Sequence, residues 1–242
     1  MEQKKLSVII PTIYKKPKVL FKIIDMFERE QVVDEVILIS NAPYVMTFPY
    51  STKLKIYEAN TNAFVNESWN FGIDVIQNDN FLIMNDDILI PVGFCELVLN
   101  SKEFNDEKTG LIGLENDSVI NFHKKEYDDI EFPESVKEIN FFPLEKYMNV
   151  GFWASAFFGK KENYHFIPEI FRIFYGDNFL LYQNKMRNKV SYSICGAKFH
   201  HIHNSSSTEP EFREVIDKDH YAWAWFTLNY INENKYEIEL QT

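Results

Sequence analysis

Residues 81–91 read FLIMNDDILIP. Four apolar residues, Phe81 to Met84, stop abruptly at Asn85-Asp86-Asp87, and apolar residues resume at Ile88. A short unbroken apolar run reads as a strand covered on both faces, the pattern of a buried parallel sheet. The same pattern recurs upstream. Leu6 to Ile10 (LSVII) closes at Pro11-Thr12, and Val36 to Ile39 (VILI) closes at Ser40-Asn41-Ala42-Pro43. Leu54 to Tyr57 is a further strand. Between them, residues 17–30 place Val19, Leu20, Ile23, Ile24 and Phe27 at helical spacing, with Pro17 in the first turn. Residues 63–77 also read as a helix. This alternation over residues 6–90 predicts an α/β fold, a mostly parallel central sheet flanked by helices. Ligands of such sheets sit at the carboxyl ends of the strands. Pro11-Thr12, Ser40-Asn41 and Asn85-Asp86-Asp87 are therefore expected at one crevice.

The second half is less regular. Leu111 to Leu114 and Val119 to Phe122 read as strands joined by a turn at 115–118, and residues 123–138 as a charged surface excursion. Residues 141–160 are aromatic and include Gly151-Phe152-Trp153. Residues 178–188 read as a helix with Gly176-Asp177 just before it. Val190 to Ile194 and Ala197 to His203 alternate like strands. Residues 209–233 predict a C-terminal helix, with Thr208 as N-cap and a stripe of Phe212, Ile216, Trp223, Phe226 and Tyr230. No linker, repeat or low-complexity tract interrupts the 242 residues, so one compact domain spanning 1–242 is expected.

The composition narrows the function. Thirty-six acidic against 25 basic residues give a net charge of −11, which excludes nonspecific binding of nucleic acid. A phosphate-bearing ligand would need local help from a metal ion or helix ends. Cys95 and Cys195 cannot build a disulfide framework, and a reducing, cytoplasmic setting is expected. The opening MEQKKLSVIIPT is neither a signal peptide nor an anchor, and no apolar run reaches the roughly 20 residues of a transmembrane segment. GxGxxG after the first strand, GxxxxGK[ST] and GxSxG are all missing from the sequence. Dinucleotide, P-loop and α/β-hydrolase chemistry are thereby set aside.

Three constellations could carry chemistry. Asp86 and Asp87 are adjacent carboxylates at the mouth of a buried strand, a pair that a divalent cation under a bound phosphate would make tolerable. A solvated turn is the plain alternative. In Phe199-His200-His201-Ile202-His203, strand geometry puts His201 and His203 on one face, where imidazole could complete a metal site. Buried, hydrogen-bonded histidines would look the same. Asp177 precedes a helix. It is either an N-cap or a general base kept ionised by the helix N-terminus.

In their order, SVIIPT, VILISNAP, NAFVNESWNFG and FLIMNDDILIP resemble the nucleotide-binding half of a GT-A (Rossmann-like) glycosyltransferase, closest to the inverting family-2 type. The likeness covers roughly residues 6–206. It implies a nucleotide-sugar donor, a UDP-sugar first, and a glycan or other hydroxyl acceptor. Donor contacts would come from Pro11, Thr12, Tyr14, Asn41, Asn66, Asn85, Asp86 and Asp87. By the same resemblance, Asp86 and Asp87 match the DXD-type motif that holds Mn²⁺ or Mg²⁺, with Asp87 the direct ligand. His201 or His203 would be a further ligand. Trp153 would offer an apolar face to the sugar, and Asp177 would be the catalytic base. Residues 1–90 would then be the nucleotide-binding half, 91–206 the acceptor and catalytic half, and 207–242 a helical tail.

Two departures stand out: Ser40-Asn41 replaces a common Asp, and Gly176 replaces a Glu before the catalytic Asp. Two other readings stay open. A sugar nucleotidyltransferase would carry a Gly-rich loop after the first strand, and residues 12–16 have no Gly. A catalytically inactive nucleotide- or glycan-binding module is favoured by Gly176.

Overall fold

A computed structural model describes residues 4–44, 46–48, 50–59, 61–122, 130–144, 151, 153–202 and 210–231. Strands β1 (Leu6–Thr12), β2 (Val33–Ser40), β3 (Leu54–Glu58) and β4 (Asn80–Met84) lie parallel, in the order β3-β2-β1-β4. Helix α1 (Pro17–Arg29) connects β1 to β2, and α2 (Phe64–Val75) connects β3 to β4. The unbroken apolar runs divide by parity. Val8, Ile10, Val36, Leu38, Leu82 and Met84 pack with Leu20, Ile23 and Phe27 of α1 in one core layer. Ile9, Ile37, Ile39, Phe81 and Ile83 pack with Trp69 and Ile73 of α2 in the other. Strand residues alternate between faces, so a strand between two layers must be apolar at every position.

Beyond β4 the sheet continues as β9-β6-β10-β8. Its members are β6 (Thr109–Leu114), β8 (Asn140–Pro143), β9 (Ala156–Lys160) and β10 (Val190–Cys195). β9 runs antiparallel to both β4 and β6, β10 is parallel to β6, and β8 is antiparallel to β10. Six strands thus point one way and two the other, and the mostly parallel α/β sheet stands. The strands expected at 119–122 and 197–203 appear as β7 (Val119–Phe122) and β11 (Phe199–Ile202), and with β5 (Ile88–Leu89), unread in the sequence, they form a separate three-stranded sheet in the order β5-β11-β7. Short helices α3 (Phe94–Asn100) and α4 (Lys102–Asn105), also unread, follow β5.

Two boundaries move. Helix α5 spans Gly176–Met186, so Asp177 lies inside its first turn, and Tyr175 is the N-cap residue. The C-terminal helix α6 spans Arg213–Phe226 after a short 3-10 turn at Pro210–Phe212. Thr208, expected as its cap, lies outside the described residues. The charged excursion is corrected over its described part. Ile130 is buried, Phe132 and Val136 pack on the core, and Lys22 Nζ donates to the Ile130 carbonyl at 2.6 Å. No helix among the described residues is long and apolar enough to cross a membrane.

Candidate functional site

The carboxyl ends of β1, β2 and β4 open on a cleft of about 240 Å³. Among its walls are Pro11, Thr12, Asn41, Asn85, Asp86, Asp87 and Asp177. Backbone and side chain tie these ends together. The Thr12 hydroxyl donates to Asp86 Oδ2 at 2.5 Å, and the Asn41 N–H donates to the Thr12 carbonyl at 2.8 Å. The Asn85 N–H donates to the Ser155 carbonyl at 2.9 Å. Asn41 also fastens the end of β2 to the start of α2. Its Nδ2 donates to Ser68 Oγ at 2.9 Å and its Oδ1 accepts from the Ala63 N–H at 3.0 Å.

Burial, and then the neighbouring Asp87 charge, push the Asp86 carboxyl well above the usual carboxylate range, against the Thr12 hydrogen bond and Lys16. Asp87 is itself buried. Lys16 Nζ stands 3.7 Å from its Oδ2 and donates to the Ile202 carbonyl at 2.5 Å. His201 Nε2 stands 3.7 Å from its Oδ1. The small sheet makes this approach: His201 pairs with Ile88, and the Ile202 N–H donates to the Asp87 carbonyl at 2.9 Å. His201 Nδ1 lies 2.7 Å from the Asn121 amide oxygen, which can only accept. That keeps a proton on Nδ1 and turns Nε2 toward Asp87, the orientation a metal-ligating imidazole takes.

Among the described residues no three His, Cys, Asp or Glu side chains close on one point. The donor chemistry of Asp86, Asp87 and His201 nevertheless fits a divalent ion such as Mg²⁺ or Mn²⁺, since carboxylates suit both and imidazole suits the second. His203 lies outside the described residues.

Asp177 lines the same cleft. Burial pushes its carboxyl up to about 6, opposed by the Asn178 N–H and its own. Loss of water thus outweighs the two N–H dipoles at the helix start, so the carboxyl is raised, not lowered. Gly176 has a steric reason. A Cβ there would stand 2.2 Å from Asn66 Oδ1 and 2.9 Å from Ile167 Cδ1, so the Glu of the resembling family has no room.

Three residues expected to touch a donor lie elsewhere. Trp153 is buried in the core, stacked on Phe157 at 5.5 Å with Nε1 donating to the Tyr192 carbonyl at 2.9 Å. Its ring fills the space over Gly113, where a Cβ would come within 2.3 Å of it. It therefore has no free face for a sugar, and Ala154 and Ser155 line the cleft instead. Asn66 is buried behind Gly176, its Nδ2 donating to the Phe174 carbonyl at 3.1 Å. Tyr14 is buried with φ +57°, its ring stacked on Tyr44 at 5.6 Å and its N–H donating to Thr12 Oγ1 at 2.9 Å. It shapes the turn under the cleft and is not among the cleft's walls.

Sequence reading missed Lys16, Asn121 and the aromatic rim of Phe64, Phe174 and Phe212. Lys16 had one usable signal, its place before the helix-starting Pro17 in the loop after β1. The others depend on contacts between residues distant in the chain.

The eight-stranded, mostly parallel sheet with its flanking helices, C-terminal helix and strand-end cleft is an α/β fold with counterparts among solved structures. The particular likeness is to a solved structure of TarS from S. aureus, residues 1–349. The TM-score is 0.55 at 13% identity, over 93% of this chain and 75% of that one. At that identity the likeness establishes the fold alone. No family model matches the chain, and no curated protein matches it by sequence.

Proposed function

We propose that this chain transfers a sugar from a nucleotide-sugar, a UDP-sugar first, to a hydroxyl of a glycan or other acceptor, with inversion at the anomeric carbon. The observation that carries the reading is that two acidic groups from distant parts of the chain, Asp86-Asp87 after β4 and Asp177 in the first turn of α5, line one cleft at the strand ends.

Asp87 and Asp86, with His201, would hold Mg²⁺ or Mn²⁺. The ion would supply charge neutralisation for a diphosphate leaving group. Lys16 adds a fixed positive charge beside Asp87. Thr12 holds Asp86 in place through its hydroxyl. Asp177 takes the proton of the acceptor hydroxyl on its carboxylate. The acceptor oxygen then bonds to the anomeric carbon as the bond to the diphosphate oxygen breaks on the opposite face. A carboxyl titrating at about 6 is largely ionised at neutral pH and a stronger base than an ordinary carboxylate, which suits that role.

Packing against Asn66 and Ile167 gives Gly176 a steric reason, and turnover of a donor separates an enzyme from an inactive binding module. The test is a panel of UDP-, GDP- and dTDP-sugars with Mn²⁺. A thermal shift abolished by EDTA is expected with a UDP-sugar, followed by transfer to a glycan with inverted configuration by NMR. No shift with any donor overturns the reading. Retained configuration overturns the inverting mechanism.

A further inference from the structure

Asp219, on α6, is fully buried, and the assigned cleft residues do not include it. Its carboxylate accepts three consecutive backbone N–H groups from a loop far away in sequence. Oδ1 takes that of Arg172 at 2.8 Å, and Oδ2 takes those of Ile173 at 2.7 Å and Phe174 at 2.8 Å. Buried N–H groups must find acceptors, and this loop has no strand to supply them.

The carbonyls of the same loop go the other way. The Arg172 carbonyl accepts from the Val65 and Asn66 N–H groups at 3.1 and 3.0 Å. The Phe174 carbonyl accepts from Asn66 Nδ2 at 3.1 Å. Residues 172–174 are thus strung between two helices, donors toward α6 and acceptors toward α2. The next residue, Tyr175, holds φ +64° with its ring flat on Trp223 of α6, 5.2 Å away at 4°. Gly176 follows, closed in by Asn66, and then Asp177.

We propose that Asp219 is a positioning residue for Asp177. By fixing residues 172–174 from the C-terminal helix, it sets where the candidate base enters the cleft. The inference rests on the reading of Asp177 as base, but its test does not need turnover. One carboxylate satisfies three donors, and an amide side chain cannot. In Asp219→Asn, whichever way the amide is turned, an NH₂ group faces at least one loop N–H.

The experiment is a carboxyl-¹³C NMR titration of Asp177 in the full chain, wild type against Asp219→Asn. In the variant, the loosened loop lets water reach Asp177. Its midpoint is expected to fall by about one pH unit or more toward the ordinary range. An unchanged midpoint overturns the proposal. Amide exchange in the wild type adds a measurement that does not depend on the variant folding. The Arg172, Ile173 and Phe174 amides should be protected within about tenfold of the buried amides of α6. Exchange at loop rates overturns the clamp. Undiminished transfer by Asp177→Asn would remove the base role and leave these readouts as they are. An unmoved midpoint beside an inactive Asp177→Asn would remove only the positioning role.

Discussion

The turn after β4 and the first turn of α5 both bring acid into one cleft, and burial raises a carboxyl in each. Their surroundings differ. At Asp86-Asp87 the acids repel each other and are answered by Lys16, by the Thr12 hydroxyl and by the nearby imidazole of His201. At Asp177 burial is opposed only by two backbone N–H groups. The first turn is suited to hold concentrated negative charge against a cation. The second presents a single carboxyl, raised to about 6 by burial. The same residue type is set to two tasks by what lies within a few ångströms of it.

The largest effect expected from this contrast is at Asp87. Asp87→Asn should weaken Mn²⁺-dependent binding of UDP by about 10²-fold or more, beyond the loss typical of an outer-shell change. Calorimetry with and without EDTA checks it, and unchanged EDTA-sensitive binding would dissolve the distinction between the two turns. Asp177→Asn should do the converse. UDP binding should survive, while transfer falls by about 10²-fold, the scale of a lost general base. Its pH profile should also lose the acidic limb, which in the wild type lies at about 6. Wild-type rates in this variant would leave Asp177 a structural residue.

His201→Ala removes one outlying donor and should weaken Mn²⁺ binding by about tenfold, read by titration of bound Mn²⁺. The smallest effect is on stability. The raised carboxyl of Asp177 favours the protonated fold. That contribution is present below the ordinary carboxyl range and is lost as pH rises through about 6. Asp177→Asn should therefore stabilise the fold by about 1 kcal/mol at pH 8, allowing for solvent, and change it little at pH 4. Denaturant melts at the two pH values measure this, and the opposite sign would show that Asp177 is ionised by design of its site.

The two halves were unequally legible. β1, β2 and β4 each carry a continuous apolar run, and each ends in polar residues that line the cleft. Local pattern and tertiary role coincide there, so Pro11, Thr12, Asn41, Asn85, Asp86 and Asp87 could be placed together from the sequence. From β5 onward they part company. β9 hides its AFF run in an aromatic stretch, and β5 is two residues long, too short to carry a period. Trp153 reads as a ring for a sugar, but a Gly113 on a neighbouring strand gives it a place in the core. Asp219 could not be found at all. An acidic residue on a helix reads as solvent-facing, and the three N–H groups that bury it come from residues 172–174.

The placement of β9 reaches into how the chain must be made. β4 closes the first four-stranded parallel block, and its free edge is covered only when Met84 pairs with Ala156. At ~5–20 residues per second, a growing chain would leave that apolar edge open for several seconds. Open edges of this kind recruit other strands and aggregate. A fragment ending at Ile90 would carry the edge permanently. The first half, though readable by itself, is therefore expected to depend on the ribosome delivering the second before it is safe in solution.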